Sequence, residues 1–185
     1  MIYRIAPFNA SKERNCPVIV TANSHIGFNC KDLDRTQRFY EDILDCREKF
    51  SLYYGDLLPK EPERLAQVPA EQRAKLEKLR DVRWIAYLEW TEGHFIELFN
   101  EVDAHVDNPY QPEHYGFTHF AFVVDDIQAF HRQLIERGAE KYVDIAPTLN
   151  VDNSWALWFH DPEGNRIEVH QYGPTSYQVK GRADW

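Results

Sequence analysis

Four residues of metal-ligating type recur along this chain at related spacings: His25, Glu97, His119 and Glu168. Shifted by 94 residues, His25-Ile-Gly-Phe-Asn-Cys-Lys-Asp-Leu falls on His119-Phe-Ala-Phe-Val-Val-Asp-Asp-Ile, and Arg38 lands on Arg132. Shifted by 71, Trp84 meets Trp155, Glu92-Gly93 meets Glu163-Gly164, and Ile96-Glu97 meets Ile167-Glu168. The chain is therefore an internal repeat in which each copy carries one His early and one Glu late. Two imidazoles and two carboxylates suit one divalent ion such as Ni²⁺, Zn²⁺, Co²⁺, Mn²⁺ or Fe²⁺. Without a cation, two glutamates in one partly buried cup would repel, and one would have to take up a proton.

The elements that must position these residues read alike in both copies. The first is expected over residues 23–100 and the second over 117–172. A strand (24–30, 117–124) leads to helix starts capped at Asp32 and at Asp125–Asp126. Extended aromatic-rich runs follow each helix. The last two strands of each copy pair as hairpins, 84–90 with 94–100 and 155–160 with 166–171. This predicts an α+β protein of two βαβββ modules, whose curved mixed sheets form a metal-binding cup. Strand alternation puts Glu97 on one face with Phe95 and Phe99, and Glu168 with Arg166 and His170. His25 shares its face with Gly27 and Asn29, and all four ligand candidates fall opposite the helices. Asn29, Phe95, Phe99, Arg166 and His170 are the candidate substrate contacts, although a solvated strand end is an equal reading for Arg166 and His170.

The two offsets differ because the first copy carries an insertion at about 56–83, with a short helix expected from Pro69 to Arg80. Residues 1–22 form an N-terminal arm, 101–116 a polar linker and 173–185 a C-terminal tail. His94 and His160 flank turns, His105 and His114 belong to the linker, and His131 to the outer part of a helix. Trp84, Trp155, Tyr87 and Trp158 are expected in the core rather than around a substrate.

Composition narrows the partners. The formal charge of −9 excludes a phosphate-neutralising nucleic-acid binder and argues against an anionic membrane surface. Three cysteines, Cys16, Cys30 and Cys46, form no CxxC pair, which fits a reducing cytoplasm better than a disulfide framework. The apolar run Val18–Val20 is too short for a signal-peptide core or a membrane span.

The motifs His25-Ile-Gly-Phe, Phe95-Ile-Glu97-Leu-Phe, His119-Phe-Ala-Phe-Val-Val-Asp-Asp and Phe159-His-Asp-Pro-Glu-Gly-Asn-Arg-Ile-Glu168 resemble the vicinal oxygen chelate superfamily. Within it, the His-Glu-His-Glu order looks like the glyoxalase I (lactoylglutathione lyase) group. The resemblance spans about residues 23–172. It implies a metal-dependent lyase or isomerase that stabilises an enediolate from a small carbonyl substrate, with Glu168 as the base and Glu97 as its symmetry-related partner. It also implies a homodimer, in which the metal site lies within one chain or is shared between two. Glyoxalase I proteins usually carry an Arg where this chain has Asn29, and a glutathione-holding loop where it reads Ile145–Asn153. Both departures argue against glutathione as the carrier. The alternatives are an Fe(II)-dependent extradiol-type dioxygenase, whose relatives present two His and one Glu, and a metal-free binding or resistance protein.

Overall fold

A computed structural model of the protein describes residues 23–100, 102 and 117–181. The N-terminal arm, most of the linker and the last residues of the tail lie outside this range, as do Cys16, His105 and His114.

The first module begins with strand β1 (His25–Cys30), helix α1 (Leu33–Leu44) and strand β2 (Arg47–Tyr53). The insertion follows as a single 3₁₀ turn (Tyr54–Leu57) and the short helices α2 (Pro62–Leu65) and α3 (Ala70–Lys78). The hairpin β3 (Arg83–Thr91) and β4 (His94–Asn100) closes the module. The second module repeats the plan with β5 (Phe120–Val123), α4 (Ile127–Glu136), β6 (Val143–Leu149), β7 (Trp155–His160) and β8 (Arg166–Gln171). A last short helix, α5 (Tyr177–Lys180), lies in the tail. Each module is one four-stranded mixed sheet, ordered β1-β4-β3-β2 and β5-β8-β7-β6. In both, the first strand runs parallel to the last and every other pairing is antiparallel.

Local chemistry explains the repeated frame. Asp32 accepts the Arg35 amide at 3.0 Å, and Asp126 accepts the Ala129 amide at 2.8 Å, so both helices start on an aspartate that satisfies an orphan N–H. The hairpin turns use Gly93 and Gly164 at φ +76° and +87°, a region open to glycine without a Cβ penalty. The insertion is more structured than one helix. Its Tyr54, Leu58 and Leu76 form a separate small core with Leu65, Leu79, Val82 and Trp84. Strand β5 begins later than expected, because residues 117–119 carry no ladder pairing, leaving His119 just ahead of it.

The helix-bearing faces of both sheets pack into one core. Phe28, Tyr40, Ile96 and Leu98 of the first module share it with Phe120, Phe159, Ile167 and Val169 of the second. Phe28 and Phe120 lie 5.7 Å apart between ring centroids, and Trp90 meets Phe122 at 5.5 Å edge-on. Polar ties lock the same junction. The Tyr40 hydroxyl donates to Asp161 at 2.9 Å in a fully buried contact, and Glu163 accepts from Thr36 at 3.0 Å and from Arg35 at 3.1 Å. Burial raises the Asp161 pKa above the usual carboxylate value, although donors from Asn165, Tyr40 and Glu163 oppose the shift. Arg137 forks onto Asp45 with two contacts of 3.1 Å. Cys30 and Cys46 are free, buried thiols whose pKa burial pushes up to about 12. Among the described residues no helix is long and apolar enough to cross a membrane.

Candidate metal centre

The outward face of each sheet carries one histidine–glutamate pair. In the first module the parallel β1–β4 ladder sets Gly27 beside Glu97. His25 Nε2 then lies 3.3 Å from Glu97 Oε2. In the second module Ala121 stands beside Glu168, and His119 Nε2 lies 3.2 Å from Glu168 Oε2. Glu97 and Glu168 are only 6% and 9% exposed, whereas a carboxylate on an ordinary solvated face stays wet. Their strand neighbours Ile96, Leu98, Ile167 and Val169 point into the common core, so alternation turns both carboxylates away from it.

Each histidine is also held from behind. Ser24 Oγ lies 3.3 Å from His25 Nδ1, and Thr118 Oγ1 lies 2.9 Å from His119 Nδ1. A hydroxyl on Nδ1 fixes the ring and leaves Nε2 for the carboxylate side, which is how metal-ligating imidazoles are oriented. The donor types and their orientation therefore fit a divalent cation, but each module offers half of a four-donor shell. Among the described residues no group of three or more His, Cys, Asp or Glu has the geometry to hold an ion. The structure brings together His25 with Glu97, and His119 with Glu168; it does not bring all four into one cup within the chain. The reason is packing, because the core buries the helix-bearing faces against each other and leaves the two ligand-bearing faces outside.

The remaining candidates sort by environment. Asn29 is exposed on the outward face, paired in register with Phe99. Phe95 and Phe99 are half-buried beside Glu97, and Phe99 meets Trp84 of the insertion wall at 6.2 Å. A Cβ added to Gly27 would stand 3.1 Å from the Phe99 ring and 3.5 Å from Glu97 Oε2, so this glycine permits the close approach of both. Arg166 lies over the Trp158 ring at 4.6 Å, and Trp158 meets the His119 ring at 4.7 Å.

Three readings of the sequence change here. His170 is no solvated strand end: it is 8% exposed, with Nε2 3.0 Å from Glu168 Oε2 and Nδ1 3.1 Å from Ser154 Oγ. Tyr87 and Trp158 are not core residues but lie directly opposite Glu97 and Glu168 on the outward faces. Trp155 is 40% exposed. The Tyr87 hydroxyl bonds Glu97; that bond, with burial and the carboxylate charge, raises its pKa to about 12. The antiparallel register of each hairpin held the signal for Tyr87 and Trp158, since pairing the two turns aligns each with its glutamate. Ser24 and Thr118 were also legible, because the shift of 94 residues superposes them. Ser154 had no such signal, since the shift of 71 aligns it with Arg83, and the match of Asp152 with Asp81 gave no hint of a contact with Ser154.

Two modules of this topology, with a histidine at the start of or just ahead of the first strand and a glutamate on the last, define a paired βαβββ protein built around metal-type half-sites. The chain belongs to the glyoxalase/bleomycin resistance protein/dioxygenase superfamily, whose model matches residues 23–169. It is 28% identical over 154 residues to metallothiol transferase FosB of Staphylococcus epidermidis, covering 82% of each chain. The fold is similar to the fosfomycin resistance protein FosX of Listeria monocytogenes, with TM-score 0.52 and 16% identity over 84% of this chain and 97% of that one. It is also similar to a lactoylglutathione lyase of Agrobacterium tumefaciens, with TM-score 0.50 and 16% identity over 82% of this chain and 94% of that one.

Proposed function

We propose that this chain is a metal-dependent lyase or isomerase acting on a small carbonyl compound, and that it works as a homodimer. In this reading His25 and Glu97 of one copy face His119 and Glu168 of a second, so that two half-sites complete one shell for Ni²⁺, Zn²⁺, Co²⁺, Mn²⁺ or Fe²⁺. The observation that carries it is the duplicated geometry: in each module a buried carboxylate meets the Nε2 of a histidine whose Nδ1 is engaged by a hydroxyl. The outward faces also leave Phe50, Val123 and Ile145 exposed by 44, 53 and 45%, an apolar surface that a second copy would cover.

A divalent ion held there would polarise a carbonyl oxygen and stabilise the negative charge that develops when a neighbouring proton leaves. The proteinaceous part of the chemistry falls to the carboxylates and their surroundings. Glu168 is the base, standing at the mouth of the second half-site with one oxygen shared by two imidazoles. Glu97 is its counterpart across the cup. Tyr87 and Trp158 wall the two carboxylates and keep bulk water off the reacting carbon, while Arg166 supplies a cation beside Trp158 for an anionic substrate group. Asn29 in place of an arginine is the feature that speaks against glutathione.

The similarity to FosB favours a second reading, a metal-dependent thiol transfer in which Glu97 is not a ligand and serves only as the acceptor for Tyr87. Elemental analysis after incubation with each ion, on the protein and on Glu97→Ala and Glu168→Ala, separates the two. The lyase reading expects both variants to lose the ion; the transferase reading expects only Glu168→Ala to do so. Mixing the two variants tests the shared site. Exchange between dimers restores about a quarter of the sites if each spans two copies, and none if each closes within one chain. No uptake of any ion by the unaltered protein overturns both readings.

A further inference from the structure

We propose that Asp152 and Ser154 are positioning residues for Glu168, acting through His170, so that the second half-site has a support that the first lacks. The inference rests on the metal-dependent reading above.

Hydrogen-bond accounting shows a built chain. Asp152 is a carboxylate that accepts from the Ser154 amide at 3.0 Å, from the Ser154 hydroxyl at 2.7 Å and from the Gln178 amide. The same Ser154 hydroxyl lies 3.1 Å from His170 Nδ1, so it links Asp152 to the ring. The far side of the same ring meets Glu168 Oε2 at 3.0 Å, and His119 meets that oxygen from the other side at 3.2 Å. Ser154 is fully buried, and His170 and Glu168 are nearly so, which leaves the chain little water to compete with it.

The tail braces the loop that begins this chain. The Tyr177 amide donates to the Asp152 carbonyl at 2.9 Å, the Ser176 hydroxyl donates to the Asn153 carbonyl at 2.8 Å, and the Asn150 amide closes the loop on the Ser154 carbonyl at 2.8 Å. His170 of β8 and His119 before β5 thus meet on one carboxylate oxygen, with the 150–154 loop backing His170 and the tail backing the loop. Among the described residues the first module repeats only its aspartate, as Asp81. Phe99 occupies the aligned place of His170, Arg83 that of Ser154, and Arg83 is engaged elsewhere with Gln37, Glu48 and Asp34. Partners behind a metal-ligating group set its orientation, and their loss costs about 10–100-fold in metal affinity.

The test is Co²⁺ affinity by chelator competition, with the visible Co²⁺ spectrum and the melting temperature of the metal-free protein, for the full chain and for Ser154→Ala, Asp152→Asn and His170→Gln. Ser154→Ala is expected to weaken Co²⁺ about 10–100-fold and to alter the spectrum. Asp152→Asn keeps a carbonyl acceptor for the Ser154 hydroxyl and should recover most of the affinity. A chain that merely staples the loop to the sheet would lower the melting temperature and leave affinity and spectrum unchanged, and that result overturns the proposal. Should Ser154→Ala not fold, His170→Gln decides it by the same readouts, with wild-type affinity counting against it. An unaltered protein that binds no Co²⁺ removes the metal reading itself, which distinguishes that failure from this one.

Discussion

Glu97 leans on an aromatic hydroxyl, whereas Glu168 leans on an imidazole. Both sit at the same place in their modules, opposite an aromatic residue on the neighbouring strand and within 3.3 Å of a histidine. Around them the copies have diverged. Tyr87 reaches Glu97 with its oxygen, while Trp158 has no oxygen to offer and instead packs between His119 and Arg166. Phe99 faces the insertion through Trp84, and its counterpart His170 faces the tail-braced loop. The pair with metal-ligating chemistry is duplicated, as is the hydroxyl behind each histidine, but the supports of the two carboxylates are not. The proposed shared site would therefore join a carboxylate backed by a buried histidine to one backed by a tyrosine hydroxyl.

The contrast can be broken at the frame that both halves share. Asp161→Ala would strip the acceptor from the buried Tyr40 hydroxyl and from three part-buried donors, namely the Glu163 and Asn165 amides and the Asn165 side chain. A loss of about 3–5 kcal/mol is expected in urea unfolding, with both half-sites failing together. At the sites themselves, Glu168→Ala should weaken metal binding by more than the ~100-fold typical of an outer partner, and Glu97→Ala by less, as read by competition titration. Equal losses would mean that the supports do not matter.

Exchanging small residues sharpens the comparison further. Gly27→Ala installs the second module's Ala121 in the first, where the new Cβ stands 3.1 Å from the Phe99 ring and forces it to give way. Overpacking should cost about 1–3 kcal/mol in thermal or urea unfolding. The reverse exchange, Ala121→Gly, should cost about 0.5–1 kcal/mol through backbone entropy alone. The smallest effect is expected for Tyr87→Phe, which removes one hydrogen bond to Glu97 and should loosen metal binding by about 1 kcal/mol, several-fold. An unchanged affinity would show that the tyrosine only walls the site.

Much of the fold could be read directly from the chain. The repeat, the aspartate caps and the hairpin turns each carry a local signature, and local signatures survive without a partner. The insertion was less legible: Tyr54 and Leu58 are apolar residues without helical or strand period, and they gain meaning only by meeting Leu76. Tyr87 and Trp158 were misplaced because large aromatics default to the core, whereas register with a glutamate decides their face. His170 was ambiguous for a related reason, since its burial comes from Ser154, sixteen residues away in sequence.

The sequence alone determined that each module pairs one histidine with one glutamate on the face opposite its helix, because strand period and repeat register are local properties. Only the tertiary structure decided that the two pairs do not meet within the chain. The helix-bearing faces hold most of the apolar surface, burying them together is the dominant gain, and that packing turns both carboxylates outward.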